Sequence, residues 1–101
     1  MRTNENYVLR EIDGESILIP IGEASEHLNG MIHLTPTAAF IWKEVDRANC
    51  LEEIIQKLME KYEVTDEIAR RDVYGFLSEL YNRRMVLEIP EFENAGTSEN
   101  R

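Results

Sequence analysis

The sequence has only three histidine or cysteine side chains, the types that dominate zinc sites and Cys–His nucleophiles: His27, His33 and the single cysteine, Cys50. A zinc site needs three or four ligands, and a Cys–His nucleophile needs a base that a third group orients. The two histidines lie on either side of a predicted turn, and the cysteine lies at the start of a different element. Glycine-rich phosphate loops are also missing. The sequence therefore predicts no catalytic residue, no metal site and no cofactor, and it is typical of a binding protein.

A second group of residues suits binding. On the predicted last helix, an aromatic and basic stripe lies beside the apolar face, and residues 68–85 hold four arginines against one aspartate and one glutamate. We interpret this stripe as a groove wall that accepts apolar side chains and pairs with acidic residues of a partner. The alternative is that its tyrosines pack under the sheet and its arginines are surface charges. The candidate wall residues, chosen from the helical wheel, are Arg70, Tyr74, Leu77, Ser78 and Tyr81.

Three short strands are predicted to come first. The β-branched and aromatic runs 7–12 and 16–21 flank Asp13-Gly14, a dipeptide that tolerates the positive φ angles of a two-residue hairpin. Residues 31–34 follow the turn signal Asn29-Gly30 and form the third strand. This order predicts an antiparallel meander.

The third predicted strand is an edge strand of this meander. Unpaired N–H and C=O groups at an edge can pair with an extended peptide. This strand is short, lacks Lys and Pro, and leads directly into a helix, which makes it a candidate binding edge; the first strand is the competing edge. A short edge is also common in proteins that bind nothing there. The candidate edge residues are Met31, Ile32, His33 and Leu34.

Three helices are predicted after the strands. Thr35 is a good N-cap with Pro36 at the first helical position, and Asn49 with Glu52 can form a capping box. The third helix is predicted to begin at Thr65 or Asp66 and to run to about Arg84.

The predicted fold class is α+β and winged-helix-like: a three-stranded antiparallel sheet followed by a three-helix bundle that contains a helix-turn-helix. Residues 85–89 are predicted to be a short extended piece. Residues 91–101 are polar, follow Pro90 and lack periodicity, so they are predicted to be a disordered tail behind one domain of residues 1–90.

The composition of the chain restricts the classes of partner that it can bind. The chain has 101 residues, with 20 acids against 11 bases and a net charge of −9, which disfavours nucleic-acid backbones. One cysteine fits a reducing compartment. No apolar run approaches the roughly 18 residues of a membrane span, and the N-terminus lacks a signal-peptide pattern. The sequence therefore predicts a cytoplasmic protein that binds neither membrane nor nucleic acid.

Two segments resemble the coenzyme PQQ synthesis protein D (PqqD) family. Residues 34–42, Leu-Thr-Pro-Thr-Ala-Ala-Phe-Ile-Trp, are similar to the family's strand-to-helix junction, and Asp72-Val73 with Phe76-Leu77 and Leu80 is similar to its third-helix signature. Leu51-Glu52-Glu53-Ile54 and Tyr62 match the second helix. The resemblance covers about residues 6–89, although Arg47-Ala48-Asn49 replaces the usual glycine after the first helix.

The resemblance implies a non-enzymatic protein that binds the leader segment of a ribosomally made precursor peptide. In this family the leader adds as a strand to the third strand, lies against the third helix, and is presented to a modifying enzyme, often a radical S-adenosylmethionine protein. The alternatives are a winged-helix nucleic-acid binder and a regulatory docking subunit. Either a monomer or a strand-mediated homodimer is expected. The identity of the precursor peptide and of its modifying enzyme is left open.

Overall fold

The computed structural model of the protein describes residues 1–26 and 31–93. The predicted Asn29-Gly30 turn, His27 and residues 94–101 lie outside the described residues. In chain order the elements are β1 (Arg2–Thr3), β2 (Tyr7–Ile12), β3 (Glu15–Pro20), a 3₁₀ helix (Gly22–Glu26), β4 (Ile32–Leu34), α1 (Pro36–Val45), α2 (Leu51–Tyr62), α3 (Asp66–Asn82) and β5 (Val86–Leu87).

The main sheet has the predicted order, with β3 between β2 and β4 and both pairings antiparallel. Asp13 and Gly14 join β2 to β3 with φ angles of 53° and 81°. Two successive positive φ angles are typical of a type I′ turn, whose twist matches that of the flanking strands. The predicted α+β fold with a three-stranded antiparallel sheet followed by helices is therefore confirmed.

A second, two-stranded ribbon ties the N-terminus to the end of α3. β1 pairs antiparallel with β5, and the Thr3 N–H and hydroxyl donate to the two carboxylate oxygens of Asp46, each at 2.8 Å. β1 has only two residues, so no alternation in the sequence indicates it. The predicted extended piece after α3 is found, and its partner strand was missed.

Helix capping follows the prediction at two of three helices. The hydroxyls of Thr35 and Thr65 accept from the backbone N–H groups of Ala38 and Ile68. At α2 the predicted capping box is wrong, because the N-cap is Cys50 and has no side-chain cap. The orphan N–H of Leu51 instead donates to both carboxylate oxygens of Glu91, at 3.1 and 3.0 Å.

The chain beyond β5 folds back onto the helices. Residues 90–93 are helical, and the ring of Phe92 packs against those of Tyr74 and Tyr81, with centroid distances of 5.9 and 5.2 Å. The predicted boundary between residues 90 and 91 thus falls within a helical turn, and the division into a domain and a tail stays a prediction. In this polar segment, the ring of Phe92 and the carboxylate of Glu91 make the contacts with the helices.

The core lies between the sheet and the three helices. Leu18 of β3 packs against a cluster of fully buried residues that includes Ile41, Ile54, Leu58 and Leu77. Burying an aliphatic side chain of this size stabilises the fold by about 1.5–3 kcal/mol. Within residues 1–26 and 31–93, no helix is long and apolar enough to cross a membrane.

Candidate peptide-binding groove

The open edge of β4 presents one residue's backbone groups. The N–H of Ile21, just beyond β3, donates to the carbonyl of Asn6 on the β2 side at 2.8 Å. Hydrogen bonding alternates along an antiparallel strand, so the odd-numbered residues of β3 bond to β2 and its even-numbered residues face β4. Those residues, Ser16 and Leu18, lie opposite Leu34 and Ile32.

Ile32 and Leu34 therefore form backbone hydrogen bonds with β3. The N–H and C=O of His33, between them, point away from β3, in the plane of the sheet, toward its open edge. In the described part of the chain, β4 has no strand partner besides β3. The His33 imidazole is 65% exposed and lies 3.3 Å from a carboxylate oxygen of Glu15. The backbone of His33 is thus ready to pair with an added strand.

A groove of about 690 Å³ runs along this edge between β4, the start of α1 and α3. Its floor is apolar, because Ile41 and Leu80 reach it from the core and Phe76 is half-buried. Such a cavity, mostly apolar with a few polar groups, suits an apolar side chain of a partner. The residues that line it are Ile32, His33, Leu34, Thr35, Thr37, Ala38, Ile41, Asp72, Phe76, Glu79, Leu80 and Arg83.

The charged groups of the groove are loosely paired. A carboxylate oxygen of Asp72 lies 3.7 Å from Nε of Arg71, and one of Glu79 lies 3.5 Å from a guanidinium nitrogen of Arg83. Both distances exceed those of a charge-assisted hydrogen bond. Either carboxylate can therefore exchange its partner for a cation on a ligand.

Arg70 lies on the opposite flank of α3 and is tightly held. Its guanidinium donates to both carboxylate oxygens of Glu52, at 2.9 and 2.8 Å, and to both of Asp66, at 3.2 and 3.1 Å. These hydrogen bonds raise the pKa of Arg70 and hold the pKa values of Glu52 and Asp66 below their ordinary range. Arg70 therefore already has two acidic partners.

Tyr74 and Tyr81 lie on that same opposite flank, where Phe92 covers them. Burial raises the pKa of the Tyr74 hydroxyl, and the nearby carboxylate of Glu91 raises it further. Ser78 donates its hydroxyl to the carbonyl of Gly75 at 3.2 Å. Leu77 is 0% exposed and belongs to the core.

The structure brings Ile32, His33 and Leu34 to the groove, while Met31 is exposed just before it. It does not bring the predicted helix-wall residues there. Leu77, a predicted wall residue, lies in the core, and its neighbour Phe76 lines the groove. The role of the other predicted wall residues in peptide binding stays a prediction.

The difference between the predicted wall residues and the residues that line the groove has a geometric cause. A helical wheel of α3 shows a buried arc with two flanks, and both flanks carry aromatic and charged residues. Nothing in the helix itself says which flank faces β4. The groove residues Asp72, Phe76, Glu79 and Arg83 do repeat at the spacing of one helix face, which is the signal that the sequence offered.

No group of three or more His, Cys, Asp or Glu side chains that could hold a metal ion occurs among residues 1–26 and 31–93. Cys50 is a free, half-buried thiol. The most extensively hydrogen-bonded charged cluster in the described chain is that of Arg70, Glu52 and Asp66, whose charged groups bond to one another.

Fold and groove together define a winged-helix-like domain with an open strand edge beside a helix. Residues 13–86 match the model of the family described as coenzyme PQQ synthesis protein D (PqqD). The chain belongs to this family, which confirms the resemblance seen in the sequence. No curated protein matches the sequence closely enough to be compared.

Two solved structures share the fold. One is TbiB1 in complex with the TbiA(beta) leader peptide, at 23% identity and a TM-score of 0.68, covering 85% of this chain and 94% of that one. The other is lasso peptide synthetase B1 complexed with the leader peptide, at 22% identity and a TM-score of 0.68, covering 86% and 96%. At these identities the likeness establishes the fold.

Proposed function

We propose that the protein is a non-enzymatic recognition module that binds the leader segment of a ribosomally made precursor peptide. The observation that carries this proposal is the open edge of β4 at His33, which has no strand partner on that side within the described residues and lies beside an apolar groove. Family membership and two structural neighbours solved with leader peptides support it.

Binding proceeds by strand addition. The N–H and C=O of His33 pair with one peptide residue, and the neighbouring peptide side chains enter the groove toward Phe76 and Ile41. Main-chain bonds supply affinity for any extended sequence, and the groove supplies selectivity. Ordering a peptide backbone costs roughly 1–2 kcal/mol per residue, so we expect micromolar affinity, on the order of −8 kcal/mol.

The proposal includes a partner enzyme. The proposed module acts by presenting its cargo, and the proposed recipient is a modifying enzyme such as a radical S-adenosylmethionine protein. We also propose a cytoplasmic location and retain monomer or strand-mediated homodimer as the proposed assembly states. A nucleic-acid role is disfavoured by the net charge of −9 and by the hydrogen bonds of Arg70 to two carboxylates.

The test is a titration of labelled leader peptides, taken from short open reading frames beside the gene, against the wild type and His33→Pro. Proline removes the outward N–H without touching the bonds of β4 to β3, so saturable binding should be lost while circular dichroism is kept. Saturable binding that survives in His33→Pro would exclude strand addition at this edge.

His33→Ala is the matched control, because it removes the imidazole and keeps the N–H. We expect binding to persist in this variant. A proline at Ile32 is less informative, since the N–H of Ile32 points into the sheet and its loss would disturb the β3–β4 pairing itself.

A further inference from the structure

We propose that the groove selects a leader segment in which an apolar side chain and a lysine or arginine stand two residues apart, and that Asp72 binds the cation. This inference rests on the proposed function and specifies the chemistry of the peptide. It differs in sign from the expectation of an acidic partner, which was based on the four arginines of residues 68–85.

Strand geometry sets the spacing of the two positions. A peptide residue paired with His33 has its side chain on the His33 side of the sheet, and its two neighbours point to the side of Ile32 and Leu34, which line the groove. Those two side chains are about 6.6–6.8 Å apart.

The spacing of α3 matches this distance. Asp72 and Phe76 are four residues apart, which is about 6 Å along the helix axis. One groove-facing side chain therefore meets the Phe76 ring and the other meets the Asp72 carboxylate. An apolar residue satisfies the first position and a cation satisfies the second.

Asp72, rather than Glu79, is the selective carboxylate. Glu79 has its countercharge within the groove, because Arg83 also lines it, whereas Arg71, the partner of Asp72, lies outside. The Asp72 side chain is 40% exposed against 67% for Glu79, so solvent screens its attraction for a cation less. Asp72 thus places a negative charge beside the apolar floor, and the guanidinium paired with it lies outside the groove.

The experiment is a selection of short random peptides displayed on phage, run against four proteins: wild type, Asp72→Lys, Glu67→Lys and His33→Pro. Wild type should enrich sequences with Lys or Arg two residues from a large apolar residue. Asp72→Lys should enrich Asp or Glu at that position. Glu67→Lys makes the same charge change on the same helix outside the groove and should leave the wild-type preference unchanged.

The outcomes separate this inference from the proposed function. If enrichment depends on the His33 N–H but shows no basic residue, or if Asp72→Lys selects the same peptides as wild type, the charge assignment is overturned and leader binding stands. If His33→Pro enriches the same peptides as wild type, or if wild type enriches none, strand addition itself is overturned.

A quantitative arm uses one selected peptide and its variant with norleucine in place of the basic residue. The norleucine peptide should bind wild type about two- to fivefold more weakly than the basic peptide does, because a partly exposed ion pair contributes a free energy in that range. Asp72→Asn keeps the size of the side chain and should bind both peptides equally. If Asp72→Asn still prefers the basic peptide over the norleucine peptide by the same factor as wild type does, Asp72 does not pair directly with the basic residue.

Discussion

The two flanks of α3 carry similar residues and are used in opposite ways. On one flank Phe76 and Asp72 line an open groove, where the ion pairs Asp72–Arg71 and Glu79–Arg83 are loose, at 3.7 and 3.5 Å. On the other, Arg70 makes four hydrogen bonds to two carboxylates, and Phe92 covers Tyr74 and Tyr81.

The difference shows that residue type does not by itself mark a binding surface. Aromatic rings and arginines are enriched at interfaces, but they also serve to attach one segment of a chain to another. What separates the flanks is whether the chain itself already satisfies them. We propose that the flank whose groups are held by hydrogen bonds and ring contacts within the chain is structural, and that the flank whose charged groups are loosely paired binds the ligand.

The largest expected effect tests where the core ends. Leu77→Ala should lower the free energy of unfolding by about 2–5 kcal/mol, because it leaves a cavity among fully buried neighbours. Gly75→Ala, two residues away, should raise it by about 0.5–1 kcal/mol, because the added Cβ meets no atom of the described residues within 4 Å apart from its chain neighbours and its own helix backbone. Urea unfolding measures both. If Leu77→Ala lowered the free energy of unfolding by less than about 1 kcal/mol, Leu77 would be a surface residue and not part of the core.

The second effect separates binding from stability on the two flanks. Phe76→Ala should weaken leader binding by about tenfold or more, as expected for a central apolar anchor, and should cost less stability than Leu77→Ala. Tyr81→Ala should leave the dissociation constant unchanged and lower the melting temperature, because it removes the contact with Phe92. Fluorescence titration and thermal melts on both variants measure this; a reversed pattern would move the binding site to the Tyr81 flank.

The smallest expected effect is on the pH dependence of stability. Glu52 and Asp66 have native pKa values below those of the unfolded chain because Arg70 donates hydrogen bonds to them. Their stabilisation is therefore complete above the unfolded pKa values and is lost as the pH falls through the native ones. Arg70→Gln should raise both carboxyl pKa values, measured by NMR titration, and flatten the fall in stability on acidification. Unchanged carboxyl titrations would show that the pairs do not persist in solution.

Features set by neighbouring residues could be predicted from the sequence. Asp13-Gly14 specifies its turn through the φ angles it tolerates, and Thr35 and Thr65 cap helices a few residues away. The strand order and the open edge follow from these short connections. The ordered match to a known family added the candidate function, which local physics does not contain.

Features set by distant residues could not be predicted. The cap on α2 comes from Glu91, 40 residues along the chain, and β1 finds β5 across nearly the whole chain. The correct flank of α3 depends on how α3 lies against the sheet. No periodicity within a single segment carries that information. Ile32, His33 and Leu34 of the predicted edge line the groove and the predicted helix residues do not, and the role of both sets in peptide binding stays a prediction.

The contact of Glu91 and Phe92 with the helices affects how this domain can be joined to other proteins. The family match ends at residue 86, yet the start of α2 is capped by a carboxylate five residues further on. A chimera spliced at the family boundary would leave the Leu51 N–H without this partner and strip the cover from two tyrosines. Any fusion of this module to an enzyme should therefore keep the native chain through residue 93.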